Sequence, residues 1–116
     1  MTGAVLAGIL AVSSAEDVLR LAFDEAQGRA VAVRVVAAGL PAGDEAELSA
    51  VVDRWSGKYP EVTVAVSVPR AVDPAITLTA VTRTCCLAVL PRPVNARATA
   101  LIGAVARRSG CPVVLV

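Results

Sequence analysis

Histidine is absent from this chain of 116 residues, and aromatic residues make up only 3% of it, one each of Phe, Tyr and Trp. Without histidine the usual general base of a catalytic triad and the commonest neutral metal ligand are both missing. Enzymatic chemistry would then rest on carboxylates or thiols. The acids Asp17, Asp24, Glu25, Asp44, Glu45 and Glu47 all fall in helical or capping positions, where a solvated face explains them. Cysteine is scarce and odd in number, three in all, which argues against a secreted disulfide framework. Cys85 and Cys86 are adjacent and form no Cys-X-X-Cys motif, so packing as small buried hydrophobes is the simpler reading, for Cys111 as well. Redox sensing by Cys85 or Cys86 is the alternative. Net charge is low, +1, and gives no electrostatic footprint for nucleic acid or an anionic membrane surface. No segment reaches the roughly 18 uncharged apolar residues of a membrane span. The uncharged opening lacks a basic start and runs straight into Ser13-Ser14-Ala15-Glu16, a helix-entry signal and not a secretory leader. A soluble, cytoplasmic, non-enzymatic chain is expected, without metal or cofactor.

What the chain does have is aliphatic residues: 56% of it is apolar, so its core is built from Val, Ala, Leu and Ile. That composition suits strands buried on both faces of a sheet. Short apolar runs predict strands over Ala4–Leu10, Ala30–Ala38, Glu61–Val68, Cys86–Leu90 and Pro112–Val116. Arg34 interrupts the second run, so its side chain is expected to leave by a sheet edge or meet an acid. Helical periodicity lies between the runs. Val18, Leu19, Ala22, Phe23 and Ala26 share one face of the first helix, with Ser13 and Glu16 as a capping box and Gly28 as the left-handed stop. Leu48, Val51, Val52 and Trp55 form the stripe of a second helix opening at Asp44-Glu45 and ending at Gly57. A third begins at Asp73-Pro74, an N-cap followed by proline in its first-turn niche. The fourth runs from about Ala96 to Arg108. Strict alternation of strand and helix predicts one α/β domain over residues 1–116, a three-layer doubly wound fold with a five-stranded parallel sheet.

Several stretches resemble the universal stress protein family, which implies the strand order 3-2-1-4-5. Val5-Leu-Ala-Gly-Ile9 is similar to its first strand, Glu16 to Ala26 to its first helix, Arg70-Ala-Val-Asp-Pro74 to the motif after its third strand, and Cys111-Pro-Val-Val-Leu-Val116 to its last strand. In that family the loop after the fourth strand cradles ATP phosphates with glycines, as Gly, two residues, Gly, about nine residues, then Gly-Ser. Here the loop reads Pro91-Arg-Pro-Val-Asn95, and Leu10 and Ala11 stand where the family has aspartate and glycine. Proline offers no N–H and has φ near −65°, so this loop has lost donors. Gly103, the one glycine of the fourth helix, is expected to allow close packing on the sheet.

The resemblance implies a module that works by homodimerisation, through the edge strand Pro112, Val113, Val114, Leu115 and Val116, or as a regulatory partner of another protein, and the altered loop implies that it does not bind ATP. The sequence is equally compatible with a domain of a longer transporter, kinase or tandem protein. The alternative is a sensor of a nucleotide or other small anion; its ligand would meet Leu10, Ala11, Val12, Arg70, Pro91 and Arg92. Arg70 and Arg92 sit at predicted strand ends and could receive the anion.

Overall fold

A computed structural model describes residues 3–70 and 73–116. The chain runs β1 (Ala4–Ile9), a 3-10 turn (Val12–Ser14), α1 (Ala15–Arg29), β2 (Val33–Ala37), a second 3-10 turn (Ala42–Asp44) and α2 (Glu45–Lys58). It continues with β3 (Val64–Ser67), α3 (Pro74–Thr82), β4 (Cys85–Leu90), α4 (Ala96–Arg108) and β5 (Val113–Leu115). The five strands form one parallel sheet in the order β3-β2-β1-β4-β5. This is the expected doubly wound α/β fold, with β3 and β5 as the edges.

Alternation along each central strand sends side chains to both faces, which is why these strands are apolar apart from Arg34. Val5, Ala7 and Ile9 of β1 and Val33, Val35 and Ala37 of β2 meet α1 and α2, where Phe23, Leu48, Val52 and Trp55 complete one core. Leu6, Val36, Ala88 and Leu90 point to the other face and meet Leu78 of α3 and Ile102 and Val105 of α4. Gly8 makes room for Leu90 of the neighbouring strand: a Cβ there would stand 2.4 Å from Leu90 Cδ2, while Leu78 Cδ2, at 3.5 Å, would be in ordinary contact. Arg34 does leave the sheet to solvent and meets no acid among the described residues; it donates to Thr84 Oγ1 at 3.3 Å.

Local signals hold less well at helix ends. The Ser13–Glu16 capping box does not form: α1 grows out of the 3-10 turn and Ser14, its N-cap, makes no side-chain cap bond. Glu16 is drawn instead to α2, where it accepts from Trp55 Nε1 at 2.9 Å and pairs with Arg54. Gly28 lies inside α1, and the left-handed residue is Ala30 at φ 56° and ψ 43°. Ala30 N–H donates to Gln27 O and Val31 N–H to Ala26 O, the paired bonds of a Schellman ending, while Val31 packs onto the α1 core. Tertiary anchoring of Val31 thus sets the stop two residues beyond the glycine, and β2 begins at Val33 instead of Ala30. Likewise Gly57 is helical and α2 ends at Lys58. Asp73 behaves as expected, accepting from Ala75 N–H at 2.9 Å ahead of Pro74. Ala71 of the Arg70–Pro74 motif lies outside the described residues.

Candidate functional site

In an open α/β sheet the ligand crevice lies beyond the carboxyl ends of the strands where the strand order reverses, here between β1 and β4. A cleft of about 720 Å³ opens there. Leu10 and Ala11 from the end of β1 and Ala38 and Gly39 from the end of β2 line one side. Gly39 takes φ 74°, and Pro74 of α3 stands 3.3 Å from where its Cβ would be. Asp73 to Ala75 begin α3 on another side, and Val94, Asn95, Arg97 and Leu101 bring in the start of α4.

Two helix N-termini therefore face one hollow, and each is already occupied by its own cap. Asn95 Oδ1 accepts from Ala98 N–H at 2.8 Å, as Asp73 does from Ala75. In the preceding loop, Pro91 is buried, Pro93 has no N–H, and Arg92 N–H donates to Val116 O at 3.0 Å. The loop is thus tied to the end of β5. Gly103 does not seat α4 on the sheet as its sequence position suggested: a Cβ there would meet only Arg107 Nη1, at 3.3 Å.

Of the residues named from sequence as a ligand set, Leu10 and Ala11 line this cleft. Val12 packs on the α1 core, and Pro91 is buried beneath the loop. Arg70 bonds Glu45 at the start of α2, 2.5 Å away. Arg92 lines a different hollow of about 670 Å³, beside Asp17, Asp24, Tyr59 and Leu115. The two arginines are not brought together. Arg97, the cation that does line the cleft, was missed. Its signal was its place in the first turn behind the N-cap Asn95, visible once Asn95 is read as a cap and not as a lost glycine.

All three cysteines are free thiols. Burial pushes the Cys85 thiol above its usual value, partly opposed by a hydrogen bond with Thr84, and burial raises Cys111 in the same direction. Raised thiols are poor nucleophiles at neutral pH. No group of three or more His, Cys, Asp or Glu side chains among the described residues could hold a metal ion. No helix among them is long and apolar enough to cross a membrane.

No protein-family model matches the chain, and no curated protein does. Among solved structures, a universal stress protein crystallised in complex with cAMP aligns over 100% of this chain and 98% of its own, with a TM-score of 0.60 at 14% identity. What the likeness shows is that this chain has a universal stress protein-like fold from end to end.

Proposed function

We propose that the protein is a non-enzymatic module that works by association, pairing with a second copy of itself through β5. The observation that supports this most directly is the open edge of that strand. Ala88 N–H donates to Pro112 O, Val116 N–H to Leu90 O and Arg92 N–H to Val116 O. Alternation along the strand then turns the N–H and C=O groups of Val113 and Leu115 away from β4, toward the unpaired side. Val114 and Leu115 are 37% and 39% exposed. An apolar edge with free donors and acceptors is a template for another strand. Antiparallel pairing centred on Val114 would satisfy Val113 and Leu115 of both copies. The other edge, β3, exposes Ala65 and Ser67 alongside Val66 and is less apolar. Sedimentation equilibrium tests the reading. Val114→Glu should give monomer while Val66→Glu on β3 leaves a dimer, and an unchanged dimer in Val114→Glu refutes it.

The same reading holds that ATP is not a ligand, because the loop that would cradle its phosphates has two prolines and a third position already bonded to Val116. Loss of a few charged hydrogen bonds, about 1.5–3 kcal/mol each, takes a micromolar site to millimolar or weaker. Calorimetry with ATP and magnesium should give no saturable heat. The second reading, a small-ligand sensor, is favoured by the cleft at the strand-order reversal and by the cAMP complex of the structural neighbour. Saturable micromolar heat with cAMP or ATP would select it.

A further inference from the structure

The low net charge conceals a strong separation. Nine of the ten acids precede Val62, and only Asp73 follows it. Residues 62–116 carry Arg70, Arg83, Arg92, Arg97, Arg107 and Arg108. In the fold, seven of those nine acids lie on α1 and α2, and four of the six later arginines, Arg83, Arg97, Arg107 and Arg108, lie at the end of α3 or on α4. The ion pairs among the described residues are Arg20–Asp17, Arg29–Glu25, Arg54–Glu16 and Arg70–Glu45, so none involves Arg83 or an arginine of α4.

Between α3 and α4 the cleft described above continues into a second trough of about 400 Å³, the two sharing Asp73, Ala75 and Ala104. Its floor is small side chains, its far end is flanked by Arg83 and Arg108, and Arg97 stands at the near end. Two large apolar side chains stand out of this region, Ile76 at 65% exposure and Val94 at 87%. An amphipathic helix lays alternate apolar anchors into such a groove, and alanines let its backbone approach closely. Exposed arginines around an apolar stripe ask for carboxylates around the anchors.

We infer that the α3–α4 groove docks an acidic amphipathic helix of a partner protein. This extends the association reading to a second surface and does not depend on β5 pairing. A second copy of the chain is a poor occupant: its acidic α1–α2 layer turns its large apolar side chains inward, and the exposed large ones among the described residues lie elsewhere, on β3, β5, α3 and the loop before α4. Nucleic acid is also a poorer fit. All three aromatics of the chain sit together around Trp55, leaving none on this face for stacking bases.

The test uses a fluorescent synthetic helix of about 15 residues, with leucines at alternating three- and four-residue spacing and glutamates elsewhere, read by anisotropy. The same peptide with lysine for glutamate is the control. The acidic peptide should bind roughly tenfold or more tighter than the basic one, and weaken with added salt. Arg83→Glu with Arg108→Glu should lower its affinity about tenfold, the milder glutamine pair should give a smaller loss, and Arg29→Glu on α1 should leave it unchanged. Equal binding of the two peptides, or equal loss in Arg29→Glu, overturns the proposal. So does displacement of the acidic peptide by an equally charged single-stranded oligonucleotide, or by anionic vesicles, at lower concentration. Repeating the titration with Val114→Glu separates the two surfaces: peptide binding retained in that monomer leaves this proposal standing, and peptide binding lost while the wild-type dimer is intact sinks this one alone.

Discussion

The α1–α2 layer and the α3–α4 layer cover opposite faces of one sheet and complete that task to different degrees. On the first, α1 buries six residues, and Phe23, Tyr59 and Trp55 pack together with ring centroids 5.6 and 6.4 Å apart. Lys58 Nζ lies 4.3 Å from the Trp55 ring centroid, while Glu16 holds both the indole N–H and Arg54. On the second layer, α3 and α4 bury two residues each, Leu78 with Thr82 and Ile102 with Val105. Its helices are instead held at their ends. Asp73 and Asn95 make side-chain caps, whereas Ser14 and Asp44 make none. Thr82 Oγ1 donates to Thr79 O at 2.6 Å and accepts from Gly110 N–H at 3.0 Å, pinning the end of α3 to the loop before β5. One layer satisfies itself through packing and internal ion pairs; the other leaves arginines and the large apolar side chain of Ile76 exposed.

If packing is concentrated in the first layer, truncation there costs more. Phe23→Ala should lose about 3–5 kcal/mol and Val105→Ala nearer 2 kcal/mol in urea unfolding. Equal losses would break the contrast. On this side of the sheet Leu90 packs over Gly8, so Gly8→Ala should cost about 1–3 kcal/mol, with the Leu90 side chain forced to shift. An unaltered urea midpoint would mean that Leu90 can turn aside freely.

The two thiols held above their usual value, Cys85 and Cys111, both pack on the α3–α4 side. Each keeps its proton to higher pH in the folded chain than in the unfolded one. Between the unfolded and folded values the unfolded state binds fewer protons, so stability is flat below the ordinary thiol value of 9.0 and falls as pH rises through it. The slope is at most about 1.4 kcal/mol per pH unit for each thiol. Urea midpoints of wild type and Cys85→Ala, followed from pH 7 to 10, should converge in slope only if that thiol contributes nothing. The smallest effect concerns the caps. Asn95→Ala should cost about 1 kcal/mol and Asp44→Ala clearly less, since only Asn95 has a cap bond to lose. Circular dichroism melts of the two variants compare them directly, and a reversed order would remove the distinction between end-held and face-held helices.

Much of the architecture was legible because it rests on local pattern. The apolar runs and the stripe Val18, Leu19, Ala22, Phe23 and Ala26 are periodic over enough residues to outweigh noise, and all five of those side chains are buried. Caps with a proline or an Asp beside them were legible too, as at Asp73. The helix stop at Gly28 was not, because the anchoring of Val31 on the α1 core outweighs a glycine preference of about 1 kcal/mol. At the candidate site the strand-end residues Leu10 and Ala11 were found. Arg70 and Arg92, both named from strand-end positions, do not meet, since such a position says nothing about which neighbour, Glu45 or Val116, will capture a long side chain or its backbone.

By itself the sequence determined a single doubly wound α/β sheet, its strand order through family resemblance, and a loop after β4 poor in backbone donors. Those features follow from residue type and short-range spacing. Only the tertiary structure decided that Arg97 and not Arg70 or Arg92 lines the cleft, that Glu16 serves Trp55 instead of its own helix end, and that Arg83, Arg97 and Arg108 border an open groove while Glu16, Asp17, Glu25 and Glu45 pair on the opposite layer. Each of these depends on which elements the sheet brings side by side, and contacts between residues tens of positions apart carry no local signature in the chain.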